Sequence, residues 1–312
     1  MALHIVHHPD YDARFSPVHR FPMSKYTLLM TALRGRGLVR PGHLHEPGEA
    51  ARGWLTLAHD PAYVDQVIGC AVPARIEKEI GFPVDAAVSR RARLASAGTV
   101  LAARLALEHG VACNAAGGSH HARRMQGAGF CTFNDVGVAA SVLLATGEAA
   151  RILVVDCDVH QGDGTADIFR DEPRVFTFSL HGARNYPVRK ISGDLDLDLP
   201  DGTADEAYLA TLAEALGRIE QRFLPDLVFY NGGVDPHAGD RLGRLSLSDD
   251  GLRARDRMVF YHFRERGIPV CGVIGGGYAR EMTGLGERHA ILFEVAAEFA
   301  AEPLSARPQP FR

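Results

Sequence analysis

Disulfide chemistry, a membrane span and a strong charge of either sign are all missing from these 312 residues. The five cysteines are odd in number and include no CxxC pair. Neither a disulfide framework nor a clustered thiolate metal site is readable, and reduced, mostly buried thiols are expected. No stretch approaches the ~18 uninterrupted apolar residues of a membrane-spanning helix. The amino terminus, MALHIVHHPDYDARF, has neither a basic region nor a long apolar run, so no secretory signal is expected and a cytoplasmic location is. With 34 Lys and Arg against 38 Asp and Glu, the formal net charge is −4. That gives no electrostatic case for nucleic acid or an anionic membrane as partner. Internal repeats, low-complexity blocks and interior linkers are absent as well. Tryptophan occurs once, whereas histidine occurs 15 times. Imidazole is the commonest metal ligand and the acid–base group that titrates nearest neutral pH, so the positions of those histidines carry the argument.

What is there is ordinary globular composition, 46% hydrophobic and 23% charged. Short apolar runs alternate with longer amphipathic segments, the pattern of a mostly parallel sheet covered by helices on both faces. Strands are expected at Arg151–Asp156, Val175–Leu180, Leu227–Asn231 and Ile268–Ile274. Helices are expected at Ala87–His109, Val136–Thr146, Glu206–Phe223 and Asp249–Arg266, the last preceded by Ser248, an N-cap residue, with acidic charge in its first turn. Residues 1–80 carry too little periodicity to assign. The reading is one α/β domain of three layers over residues 1–302, with a proline-containing tail from Pro303 to Arg312.

Polar, glycine-rich segments follow the apolar runs: CDVHQGDG after RILVVD, GGVDPHAGD after LVFYN, GGGY after CGVI, and NAAGGSHHARR after the stretch ending near Cys113. In an open parallel sheet ligands bind beyond the carboxyl ends of the strands, so these four segments are expected to converge on one rim. Asp156, Asp158 and His160 stand at alternate positions, which puts their side chains on one side of an extended chain. Two carboxylates and an imidazole just past a buried strand are costly unless a cation offsets them. Asp and His together suit Zn²⁺ or Fe²⁺, and Asp235 on the neighbouring segment offers a third ligand. The plain alternative is that such residues only cap helices and satisfy turns, with Asp156 orienting a histidine rather than ligating. His120 and His121, taken singly, read as structural histidines; as a pair beside a metal they suit general acid–base work, with Asp156 and Asp163 placed to hold their far nitrogens. Gly275–Gly277 before Tyr278 lack the Lys-Ser/Thr of a phosphate-binding loop.

Together these strings resemble the zinc-dependent histone deacetylase family, on the arginase/deacetylase fold, and most of all its class IV-like and bacterial members. GGSHHA, GFCTFND, DCDVHQGDG, GGVDPHAGD and GGGY stand in the family's order, and HRFPMSKY and NYPVRKISGDLDLDLPDGTADEAYL look typical of that branch. The resemblance implies Asp158, His160 and Asp235 as zinc ligands, and Asp156 and Asp163 as the carboxylates behind His120 and His121. Tyr278 would polarise the scissile carbonyl. Gly129, Phe130, Tyr186, Gly276 and Gly277 would line the acyl-lysine channel, where Tyr186 replaces a phenylalanine common in class I relatives. The backbone around Asp156, Asp158 and His160, with Ser179 and Leu180, would hold a structural K⁺. The activity implied is removal of an acetyl or longer acyl group from the lysine Nε, His121 serving as base and then acid. The rivals are a deacylase of acetylpolyamines or other small amides, a dimanganese ureohydrolase, and a non-catalytic module that binds acylated ligands. The ureohydrolase would want a second acid in GGVDPH. Oligomeric state is not readable.

Overall fold

The computed structural model describes residues 2–16, 19–279 and 281–300. The tail from Pro303 lies outside the described residues. Eight strands form one sheet: β1 (His4–Val6), β2 (Leu44–His45), β3 (Val111–Asn114), β4 (Ile152–Asp156), β5 (Val175–Gly182), β6 (Leu195–Leu199), β7 (Leu227–Asn231) and β8 (Val270–Val273). Their order is β2-β1-β3-β8-β7-β4-β5-β6, and every pairing is parallel. Among the described residues the α-helices are α1 (Lys25–Gly35), α2 (Arg52–Ala58), α3 (Pro61–Ile68), α4 (Ala74–Ile80), α5 (Ala86–His109), α6 (Asp135–Thr146), α7 (Asp163–Phe169), α8 (Asp205–Glu220), α9 (Asp249–Arg264) and α10 (Met282–Ala300). Helices α2, α5, α6 and α7 connect into one layer, and α1, α10, α9 and α8 into another.

Local chemistry explains the main boundaries. Asp85 accepts from Val88 N to open α5, Asn134 from Gly137 N to open α6, and Ser248 from Gly251 N to open α9. Gly110 and Gly147 end α5 and α6 at φ 89° and 74°, where a side chain would be strained. Residues Ile152–Val155 are buried throughout, as both faces of a parallel sheet demand.

The strands and helices expected from periodicity are present, Leu227–Asn231 with both ends as expected and the others with ends shifted by at most three residues. Others went unassigned: β1 and β2 are too short to show a period, β6 (LDLDL) puts acids on a strand at the sheet's edge, and α7 spans two turns. The order β3-β8-β7-β4 matters most. The strands preceding all four glycine-rich segments lie side by side at the middle of the sheet, so the segments share one rim.

Candidate active site

Asp156 is the last residue of β4 and Asn231 the last of β7; they face each other in register. Asn231 Nδ2 donates to Asp156 Oδ1 at 3.0 Å. Past these strand ends Asp158, His160 and Asp235 gather, all buried, with ligand-capable atoms within 4.8 Å of one another. His160 Nδ1 is 3.0 Å from Asp158 Oδ1 and 3.1 Å from Asp235 Oδ2. Asp235 Oδ1 accepts from Val159 N at 2.9 Å, and Asp158 Oδ2 from Gly276 N at 2.6 Å. Asp235 Oδ2, though buried, has no hydrogen-bond partner.

The electrostatics of this trio call for a cation. Burial and the neighbouring Asp158 carboxylate push Asp235 up to about 7. Burial opposes a charged His160, yet Asp158 and Asp235 raise it to about 10. A divalent ion would meet the orphaned oxygen and the excess negative charge together, and an O,N,O donor set of three suits a catalytic zinc. Gly276 must be glycine for the cluster to close: a Cβ there would fall 2.1 Å from Asp235 Oδ2 and 2.7 Å from Asp158 Oδ2.

Two histidine–carboxylate pairs flank the trio. His120 Nδ1 lies 2.6 Å from Asp156 Oδ2, and His121 Nδ1 lies 2.6 Å from Asp163 Oδ1. The matched distances hide opposite environments. For His120, burial is outweighed by the Asp156 and Asp158 carboxylates, which raise it to about 9. For His121, burial and the adjacent His120 win over Asp163 and lower it to about 4. His160 adds to the lowering, while the Arg123 guanidinium takes the other oxygen of Asp163 at 2.6 Å. One ring is cationic near neutral pH and its neighbour neutral.

A cavity of about 340 Å³ leads from the surface to this point, walled by Gly129, Phe130 and Tyr186 and floored by His121, His160 and Tyr278. The Tyr186 ring stands perpendicular to His121 at 4.7 Å, and Tyr278 perpendicular to His160 at 6.1 Å. Phe130 is held at φ 67°, a left-handed conformation uncommon for a bulky residue, and this turns its ring into the wall. Burial and the Asp235 and Asp158 carboxylates hold the Tyr278 hydroxyl well above its usual pKa, so it remains a donor. Its backbone is clamped: Tyr278 N donates to Asp240 Oδ2 at 2.6 Å and Arg241 Nε to Tyr278 O at 2.7 Å.

Of the remaining expected residues, Gly276 sits under the carboxylates and Gly277 against Val234, Leu285 and His289, so neither forms the outer cavity wall. The reason is that the run after β8 turns inward beneath the ligand cluster. Ser179 pairs with Asp156 across β4 and β5, next to Leu180. Cys157 is buried and Cys131 edges a second, inner space of about 20 Å³ beside Lys25 and Arg91. Sequence reasoning gave no role to Asp135, whose carboxylate accepts from Ser119 N at 2.8 Å and Thr99 Oγ1 at 2.6 Å and so holds the loop before His120. Nor did it single out Lys25, whose buried ammonium donates to Gly275 O at 2.8 Å. The motif strings GFCTFND and HRFPMSKY contained both. No helix among the described residues is long and apolar enough to cross a membrane.

Comparison with known proteins agrees with this geometry. Residues 19–292 match the histone deacetylase domain. The chain is 46% identical over 298 residues to an uncharacterised protein of Picosynechococcus sp., covering 96% of this chain and 99% of that one. It is 33% identical over 289 residues to histone deacetylase 2 of Arabidopsis thaliana, covering 88% and 74%. Among solved structures, an HDAC homologue from Aquifex aeolicus superposes with a TM-score of 0.80 at 25% identity, over 99% of this chain and 86% of that one. An HDAC homologue complexed with SAHA gives the same TM-score and coverage at 26% identity. The chain belongs to the histone deacetylase family and is a hydrolase acting on amide bonds.

Proposed function

We propose that this chain is a zinc-dependent deacylase of the lysine Nε, with Asp158, His160 and Asp235 as metal ligands. The observation that carries the reading is the buried Asp–His–Asp trio at the foot of an aromatic-walled cavity, with a neutral histidine and a tyrosine hydroxyl beside it. Bound there, the ion supplies Lewis acidity and lowers the pKa of a water towards ~7. The chain's own groups do the rest. Gly129, Phe130 and Tyr186 grip an extended acyl-lysine stem and exclude water from it. His121 is neutral, and with Nδ1 engaged by Asp163 its Nε2 takes the proton of the attacking water. The same atom then delivers that proton to the leaving amine, giving a free lysine and a carboxylate. His120 stays protonated between Asp156 and Asp158 and stabilises the negative charge that develops. Tyr278 donates a hydrogen bond to the oxyanion. A structural K⁺ at the backbone around Asp156, Asp158 and His160, with Ser179 and Leu180, would stiffen the strand ends that present the ligands. The HDAC homologue solved with SAHA supports the acyl-lysine assignment by analogy.

The test is hydrolysis of a peptide series carrying acetyl, butyryl, octanoyl and myristoyl lysine, before and after chelation and again after adding Zn²⁺ or Fe²⁺. Turnover that disappears with chelator and returns with one of the metals is the expected result. Turnover indifferent to chelation, or none with any acyl length after metal is restored, rejects the reading.

A further inference from the structure

The mouth of the cavity has a charge character that the whole chain does not. Three exposed arginines, Arg20, Arg184 and Arg244, line it against one carboxylate, Glu79. Glu79 is itself 4.0 Å from a further guanidinium, that of Arg75. Asp201 provides the other compensation, and it is shared: 3.2 Å from Arg244 and 3.7 Å from Arg184. Arg20 has no carboxylate partner among the described residues; its contact is through its carbonyl, which accepts from Arg241. In a chain whose formal net charge is −4, the entrance to the site therefore carries excess positive charge. The three arginines come from separate parts of the chain, before α1, after β5 and before α9, so the arrangement is assembled by the fold and not by a basic run.

A charged rim sorts substrates by what flanks the reacting group. It raises the local concentration of anionic ligands and repels cationic ones, and a guanidinium pairs bidentately with a carboxylate. An acetylated polyamine, or a tail rich in lysine and arginine, would place its own positive charges against Arg20, Arg184 and Arg244. We infer that the preferred substrates are acyl-lysines with carboxylates flanking the modified residue, their acidic side chains docked on Arg20 and the Arg184–Arg244 pair. The inference rests on the deacylase reading above and names the substrate class for the same site.

The experiment compares kcat/KM for acyl-lysine peptides identical except for their neighbours, two glutamates in one and two arginines in the other. Exposed charge pairs have modest individual effects, so a preference of at least ~3-fold for the acidic peptide is expected at low salt, shrinking as added salt screens it. Arg20→Glu and Arg244→Glu should each lower the ratio of the two specificities, mainly through KM. Equal specificities, a preference for the arginine peptide, or a ratio unchanged by both charge reversals overturns the inference alone. Hydrolysis of neither peptide by the metal-loaded protein overturns the deacylase reading and this inference with it.

Discussion

His121 and Asp163 are joined at 2.6 Å, yet the ring stays neutral, because burial and the adjacent His120 outweigh the carboxylate. The pairing orients the imidazole and leaves its Nε2 to receive a proton. His121→Ala and Tyr278→Phe should each lose at least ~100-fold in deacylation while retaining the metal, since neither belongs to the proposed ligand trio. Turnover and metal content measured on the same preparations check this. Near-normal turnover in either variant removes the role assigned to it.

The ligand cluster should fail differently. Asp235 Oδ2 is buried without a hydrogen-bond partner, and Gly276 leaves no room for a methyl group beside it. Asp235→Asn and Gly276→Ala should therefore both release metal on dialysis, the first by weakening a ligand and the second by displacing two. Metal analysis after dialysis reads this directly, without reference to turnover. Retention of a full equivalent in Asp235→Asn excludes it as a ligand.

The contrast between these two predictions reflects what the sequence could and could not convey. Asp156, Asp158 and His160 stood out because carboxylates and an imidazole after a buried strand are costly, and short spacing made their proximity readable, whereas Asp235 came in only through its own strand-end segment. Strand order was not readable: that β8 and β7 lie between β3 and β4 depends on long-range pairings, Val111 with Val270 and Ile152 with Leu227. The opposite protonation of His120 and His121 was equally hidden, since it depends on burial of both rings and on Asp158 facing His120 as well as Asp156. The same holds for the charge of the cavity mouth, whose three arginines are dispersed in sequence and united only by loop geometry.

Arg255 is a further case of a long-range contact with local consequences. Its fully buried guanidinium donates to Gly233 O at 2.6 Å and Cys157 O at 3.1 Å, joining the two loops that carry Asp235 and Asp158. Asp256 balances the charge at 2.8 Å and also accepts from the Tyr230 hydroxyl. Arg255→Met would strand Asp256 and free both carbonyls. Removing one partner of such a pair costs about 3 kcal/mol or more, so denaturant unfolding should show a loss of that size. The folded fraction should also bind metal more weakly, whereas an undisturbed metal affinity would confine Arg255 to a purely structural role.

In acid the buried neutral histidines should pull stability down, against the opposite pull of Asp235, which burial raises to about 7. His59 is the clearest: its Nε2 accepts from Asn134 N at 2.9 Å, so Nδ1 carries the proton and donates to Arg123 O at 2.9 Å. Burial lowers it from the ordinary 6.5 to about 4, and burial likewise lowers His7 and His181 to about 4. The unfolded chain binds protons at these rings below pH 6.5 while the folded chain does not until about pH 4, so their contribution to stability falls as pH drops between those values. A shift of that size for fully buried His59 is worth roughly 3 kcal/mol, and the less deeply buried rings add less. His59→Gln offers an uncharged acceptor and donor in the same place, so between pH 6.5 and 4 its unfolding free energy should decline less steeply than that of the unaltered chain. Parallel urea titrations across this range measure both slopes, and identical slopes would show that His59 takes up no extra proton on unfolding.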